Sequence, residues 1–129
     1  MADAATIETP LQALIDLAID HWRLSRWLLG SENDRTKATP RQTVRRLESF
    51  FADREISILD ITGRPYEAGL PVEVPDTIDD PNLPNGEIVV DEVLSPIILW
   101  RKNVVRHAKI VVRRGQGAPK ATSSEDSKS

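Results

Sequence analysis

One stretch, Gly63 to Arg114, most limits what this chain can become. Six of the nine prolines lie between Pro65 and Pro96, so no helix can run through that interval, because an interior proline costs about 3 kcal/mol. Between the breaks lie short β-branched runs: Val72–Val74, Glu87–Leu94, Ile97–Trp100, Val104–Arg106 and Lys109–Arg113. Each reads as a strand. Pro71 and Pro75 place the first of them at a sheet edge. Asn85-Gly86 predicts a tight turn, since positive φ is cheap at both residues. Arg101-Lys102-Asn103 reads as a hairpin tip, and Pro96 as a bulge or strand crossing. Gly115 onward reads as a flexible tail.

The N-terminal half has a different period. After a frayed segment to Glu8, Thr9-Pro10-Leu11-Gln12 has the form of a helix start with Thr9 as cap. The helix runs to about Leu29 and stops at Gly30. Thr39-Pro40-Arg41-Gln42 repeats the device and opens a second helix to Asp53, with Val44, Leu47, Phe50 and Phe51 on one face. The first helix is apolar over more than half its circumference, wider than one packing face needs. That motivates a homodimer, with Leu14, Leu17, Ala18, Trp22 and Leu28 at the interface. The expected architecture is α+β: an antiparallel helical hairpin that forms a four-helix bundle with its twin, followed by a small all-β domain. The boundaries are 1–8 for the N-terminus, 9–56 for the hairpin, 57–114 for the sheet domain and 115–129 for the tail. Glu55–Thr62 reads as the coupling between hairpin and sheet.

Chemistry of the reactive kind finds no foothold. The 129 residues include no cysteine and only two histidines, His21 and His107, neither in a nucleophile or metal motif. Absence of cysteine removes disulfides and thiolate zinc sites and fits a reducing compartment. Asp76, Asp79, Asp80, Glu87, Asp91 and Glu92 form an acidic patch, but prolines interrupt the order of a calcium loop, and it reads as solvated. No glycine-rich phosphate loop is present. The basic run Arg101, Lys102, Arg106, Lys109, Arg113 and Arg114 could meet phosphates. A net charge of −3 argues against a dedicated nucleic-acid protein. No apolar run approaches the ~20 residues of a membrane span. With an N-terminus unlike a signal peptide, the expected compartment is the cytoplasm.

Four segments in order then resemble the GrpE family, the nucleotide-exchange co-chaperones of DnaK-type chaperone ATPases. They are the helix Thr43–Ile56 (TVRRLESFFADREI), Gly63-Arg64-Pro65-Tyr66 with Leu70-Pro71-Val72-Glu73-Val74, Asp80 through Leu83-Pro84-Asn85-Gly86 to Val93-Leu94, and Val104-Val105-Arg106-His107-Ala108 to Val112. The first helix resembles the family's shorter bundle helix more loosely. The chain departs from the family in having no long paired N-terminal helix. It has Ser95-Pro96-Ile97-Ile98 where the family has K-G-Y, Lys102-Asn103 where the family's hairpin tip has G-R, and Pro71 where it has histidine. The resemblance implies a stress-response chaperone partner, a homodimer, no cofactor, no metal and no catalysis of its own. It also implies an exchange mechanism in which the sheet module binds the ATPase and opens its nucleotide cleft. Leu94, Ile98, Trp100, Arg106 and Val112 are the expected partner contacts. The alternatives are a dimeric adaptor that keeps the fold without exchange activity, and a weak nucleic-acid module using the basic last strand.

Overall fold

A computed structural model describes residues 5–30 and 33–117. Two helices come first: α1, Leu11–Leu28, and α2, Ala38–Asp53, with a short 3-10 turn at Arg35–Lys37 leading into the second. Six strands follow: β1 Ile56–Leu59, β2 Val72–Pro84, β3 Ile88–Ser95, β4 Ile97–Trp100, β5 Asn103–Arg106 and β6 Ala108–Gly117. They form two three-stranded sheets, ordered β1-β4-β5 and β2-β6-β3. The chain divides into two compact units, Met1–Ile58 with Ile98–Asn103, and Leu59–Ile97 with Val104–Ser129.

This corrects the expected architecture. The class is α+β, but there is no long N-terminal hairpin bundle followed by an all-β half. Instead β1 and β4 belong to the same unit as the helices, and the strands split between two sheets. The physical reason lies at the two ends of the strand region. Phe51 on α2, Ile56 on β1 and Ile98 on β4 are all nearly fully buried within this one unit, so the helices share a core with strands of their own chain.

The helix starts also differ from expectation. Neither helix has a side-chain cap. Gln12 instead donates to Asp16, 2.8 Å away. The 3-10 turn feeds α2 directly, so Thr39 already lies inside the helix and cannot cap it. Pro40 is tolerated there because amides of the first turn have no intrahelical partner. Asp34 accepts from the Thr36 amide and caps the 3-10 turn. Gly30, at φ +82, sits just past α1 as anticipated.

In the second unit, β6 is the central strand, with Ala108, Ile110, Val111 and Val112 buried. β3 pairs with it antiparallel and β2 pairs with it parallel. β2 is the largest departure from the sequence reading, which made most of it a solvated loop. Its prolines are accommodated because it is an edge strand. The register breaks between Glu73 and Asp76 and between Asp80 and Pro84, bracketing Pro75 and Pro81. β6 in turn continues to Gly117, past the expected start of the tail. Gly115 is required there: a Cβ would fall 1.8 Å from the Pro84 carbonyl oxygen. Residues 118–129 and 1–4 lie outside the described residues.

The outer edge of β3 is covered locally. Gly63 donates to the Val90 carbonyl, Val90 to that of Arg64, and Tyr66 to that of Ile88, at 2.8–2.9 Å. Gly63, at φ +84, makes the turn that brings this segment alongside. The chain leaves one sheet at Ser95 and enters the other at Ile97; Pro96, the residue that separates the two strands in sequence, is buried.

Candidate functional site

The acidic and basic segments meet in the second unit. Arg113 lies 2.8 Å from Asp80 on β2 and 2.8 Å from Asp91 on β3, and Arg114 lies 2.9 Å from Asp79. Asp91 comes within reach because β3 bulges between Val90 and Glu92. The Asp80 carboxyl is held below its ordinary range by the Asn82 amide it accepts from, and then by Arg113. This is a strand clamp. It commits Arg113 and Arg114, the end of the basic run, to carboxylates of the same chain. It also leaves the β2 edge poorly suited to an added strand: Pro75, Pro81 and Pro84 have no N–H, and the Thr77 and Asn82 amides are taken by Asp76 and Asp80.

The first unit carries a different constellation. Among the described residues, the non-glycine residues with positive φ are Glu55, Arg101 and Lys102, and all three belong to this unit. Arg101 and Lys102 form the two-residue turn after β4. Positive φ at both positions matches the twist of a hairpin, at a cost of roughly 1 kcal/mol or more per residue. Glu55 holds the turn, accepting from the Arg101 amide at 2.9 Å and facing its guanidinium at 3.5 Å. Arg101 stacks over Trp100 at 4.5 Å, and Arg54 stacks over Phe50 at 3.7 Å. These groups border a groove of about 880 Å³ whose apolar lining includes Leu11, Leu14, Phe50, Ile56 and Trp100. The turn therefore presents a guanidinium at its tip, from Arg101. The turn lies within the expected tip Arg101-Lys102-Asn103, and Lys102-Asn103 still stands where the family has G-R.

The expected partner contacts divide by exposure. Ile98 and Val112 are core residues, 0% and 4% exposed. Leu94 is exposed on β3, and Trp100 and Arg106 are half-exposed. Of the expected dimer residues, Ala18, Trp22 and Leu28 are buried by the chain itself, Leu14 is half-buried and Leu17 is exposed. Trp27 and Leu29, which the sequence reading left out of the interface, are more exposed than Leu17. Among the described residues, no three His, Asp or Glu side chains are grouped as a metal site would need. Among the same described residues, no helix is long and apolar enough to cross a membrane. His107 is exposed, and His21 is buried between the helices.

In comparisons with protein-family models and with characterised proteins, the sequence matches none.

Proposed function

We propose that the chain is a GrpE-like co-chaperone. In this reading it works in the cytoplasm as a homodimer, binds the ATPase domain of a DnaK-type chaperone and accelerates release of ADP. One observation carries the reading. Most of the C-terminal segments on which the resemblance rests lie in the sheet β2-β6-β3 or along its β3 edge, while Val104–Arg106 lies in β5 of the other sheet. Gly63–Tyr66 runs along β3, Val72–Val74 and Asp80–Pro84 lie in β2, Gly86 turns into β3 at φ +94, and Ala108–Val112 form the central strand. The motif positions thus hold turn, edge and central-strand places in this sheet, and this placement is what supports the reading.

The mechanism asks for no reactive side chain. A protein that binds the open form of a nucleotide cleft more tightly than the closed form shifts the cleft toward opening by that difference in affinity. By linkage, nucleotide bound to the ATPase weakens the co-chaperone to the same degree. The accessible groups offered for contact are Leu94, Trp100 and Arg106, with Arg101 at the hairpin tip. On α1, Leu17 and Trp27 are the apolar surface offered to a twin.

Calorimetric titration of the chain into the chaperone ATPase domain, with and without ADP, tests this. Tighter binding to the nucleotide-free domain is expected. Equal affinity in both states would leave an adaptor, and no binding to either would overturn the reading altogether.

A further inference from the structure

Among the described residues, His21 is the one buried polar or charged side chain, at 5% exposure. It sits on α1 with its ring 5.5 Å from that of Phe51 on α2. Its Nδ1 is buried and has no hydrogen-bond partner. A cavity of about 170 Å³ adjoins it, lined by His21, Glu48, Phe51, Ile56 and Ile58. From α2 the facing groups are Phe51 and the Glu48 carboxylate; β1 contributes Ile56 and Ile58; on α1 itself, Ser25 donates to the His21 carbonyl. The seat accepts a neutral imidazole at the cost of one unpaired ring nitrogen among Ile and Phe side chains. It does not suit an imidazolium, which needs a partner for both N–H groups and a close countercharge. Glu48 is the countercharge at hand, but it is itself exposed to water, so it offsets only part of the cost.

We propose that His21 is an acid-operated latch between α1 and α2: neutral, it stays packed against Phe51; protonated, it leaves its seat and the two helices part. The inference rests on the helix pair alone and is independent of the co-chaperone reading. Burial lowers the affinity of His21 for a proton, and Glu48 restores part of it. The sign follows from linkage. The unfolded chain takes up the proton near pH 6.5, while the folded chain resists it. Stability is therefore full above that pH and is lost as the pH falls below it. One proton gives at most a tenfold loss in the folding constant per pH unit.

The experiment uses the full chain. Trp22, Trp27 and Trp100 all belong to the first unit, so tryptophan emission reports on that unit. Urea titrations from pH 7.5 to 5.0 should show a midpoint that falls with acid in the wild type, stays level in His21→Gln, and falls further in Glu48→Gln. Because His21→Gln could fail to fold, the ring protons of the wild-type histidines provide a second readout. The His21 ring should take up its proton below the ordinary histidine range. A midpoint that falls equally in His21→Gln, or a His21 ring that takes up its proton within the ordinary histidine range, would overturn the latch.

Discussion

Substituting Gly115 with alanine is expected to break the pairing of β2 with β6. Gly115 lies opposite Asp80 in the parallel register. An added Cβ would sit 1.8 Å from the Pro84 carbonyl oxygen, 2.6 Å from its carbon and 2.7 Å from the Leu83 carbonyl oxygen. All three are backbone atoms, so no side chain can swing aside. The end of β2 must retreat until the nearest contact reaches at least the 3.4 Å of ordinary packing. That retreat costs about 1–3 kcal/mol as overpacking. It also threatens the Asn85 amide bond to the Gly117 carbonyl, and each such bond contributes about 1 kcal/mol. The total is about 3 kcal/mol. Gly86 provides the contrast. It has φ +94 and no atom within 4 Å of an added Cβ, so Gly86→Ala should cost only about 1 kcal/mol from backbone strain. Urea denaturation followed by far-ultraviolet circular dichroism measures both. If Gly115→Ala is no more destabilising than Gly86→Ala, the close approach of β2 to β6 is wrong.

Asp80→Asn should flatten acid unfolding: the native carboxyl is held below its ordinary range, so its contribution is present above about pH 4 and lost as pH falls further. Comparison of acid-denaturation midpoints with the wild type checks this, and the window is separate from that of His21. Lys102→Gly should stabilise the chain by about 0.5–1 kcal/mol, because glycine occupies φ +69 without the Cβ penalty; a thermal melt that drops instead would show that Lys102 makes contacts the backbone account omits. Phe51→Ala, at a site 2% exposed, should cost about 3–5 kcal/mol and shift tryptophan emission to the red; an unchanged spectrum would place Phe51 outside the core of the first unit.

Much of the local structure was legible in the sequence, and the failures have a common cause. Helix extents, the stop at Gly30, the Asn85-Gly86 turn and the hairpin after Trp100 all follow from local preferences and appear within a residue or two. What could not be read locally was pairing. Val72–Pro84, with its aspartates and prolines, has the composition of a loop, and it becomes a strand because Arg113 and Arg114 wait across the sheet for Asp80 and Asp79. Part of the acidic patch, Asp79, Asp80 and Asp91, and the end of the basic run, Arg113 and Arg114, form one clamp. In the same way, the broad apolar arc of α1 pointed to a twin, whereas Ala18, Trp22 and Leu28 are satisfied by the chain itself. A wide arc signals two neighbours without saying whose they are. The strained corner at Glu55, Arg101 and Lys102 had no signal in composition, since nothing marks an Arg-Lys pair as a left-handed turn.

The most direct test of the account mixes the chain with a DnaK-type chaperone from the same cell, preloaded with a fluorescent ADP analogue, and follows release by stopped flow. Release should accelerate with added protein and level off at saturation, and Trp100→Ala should weaken the effect. A release rate that stays at its intrinsic value at every concentration would contradict the co-chaperone reading.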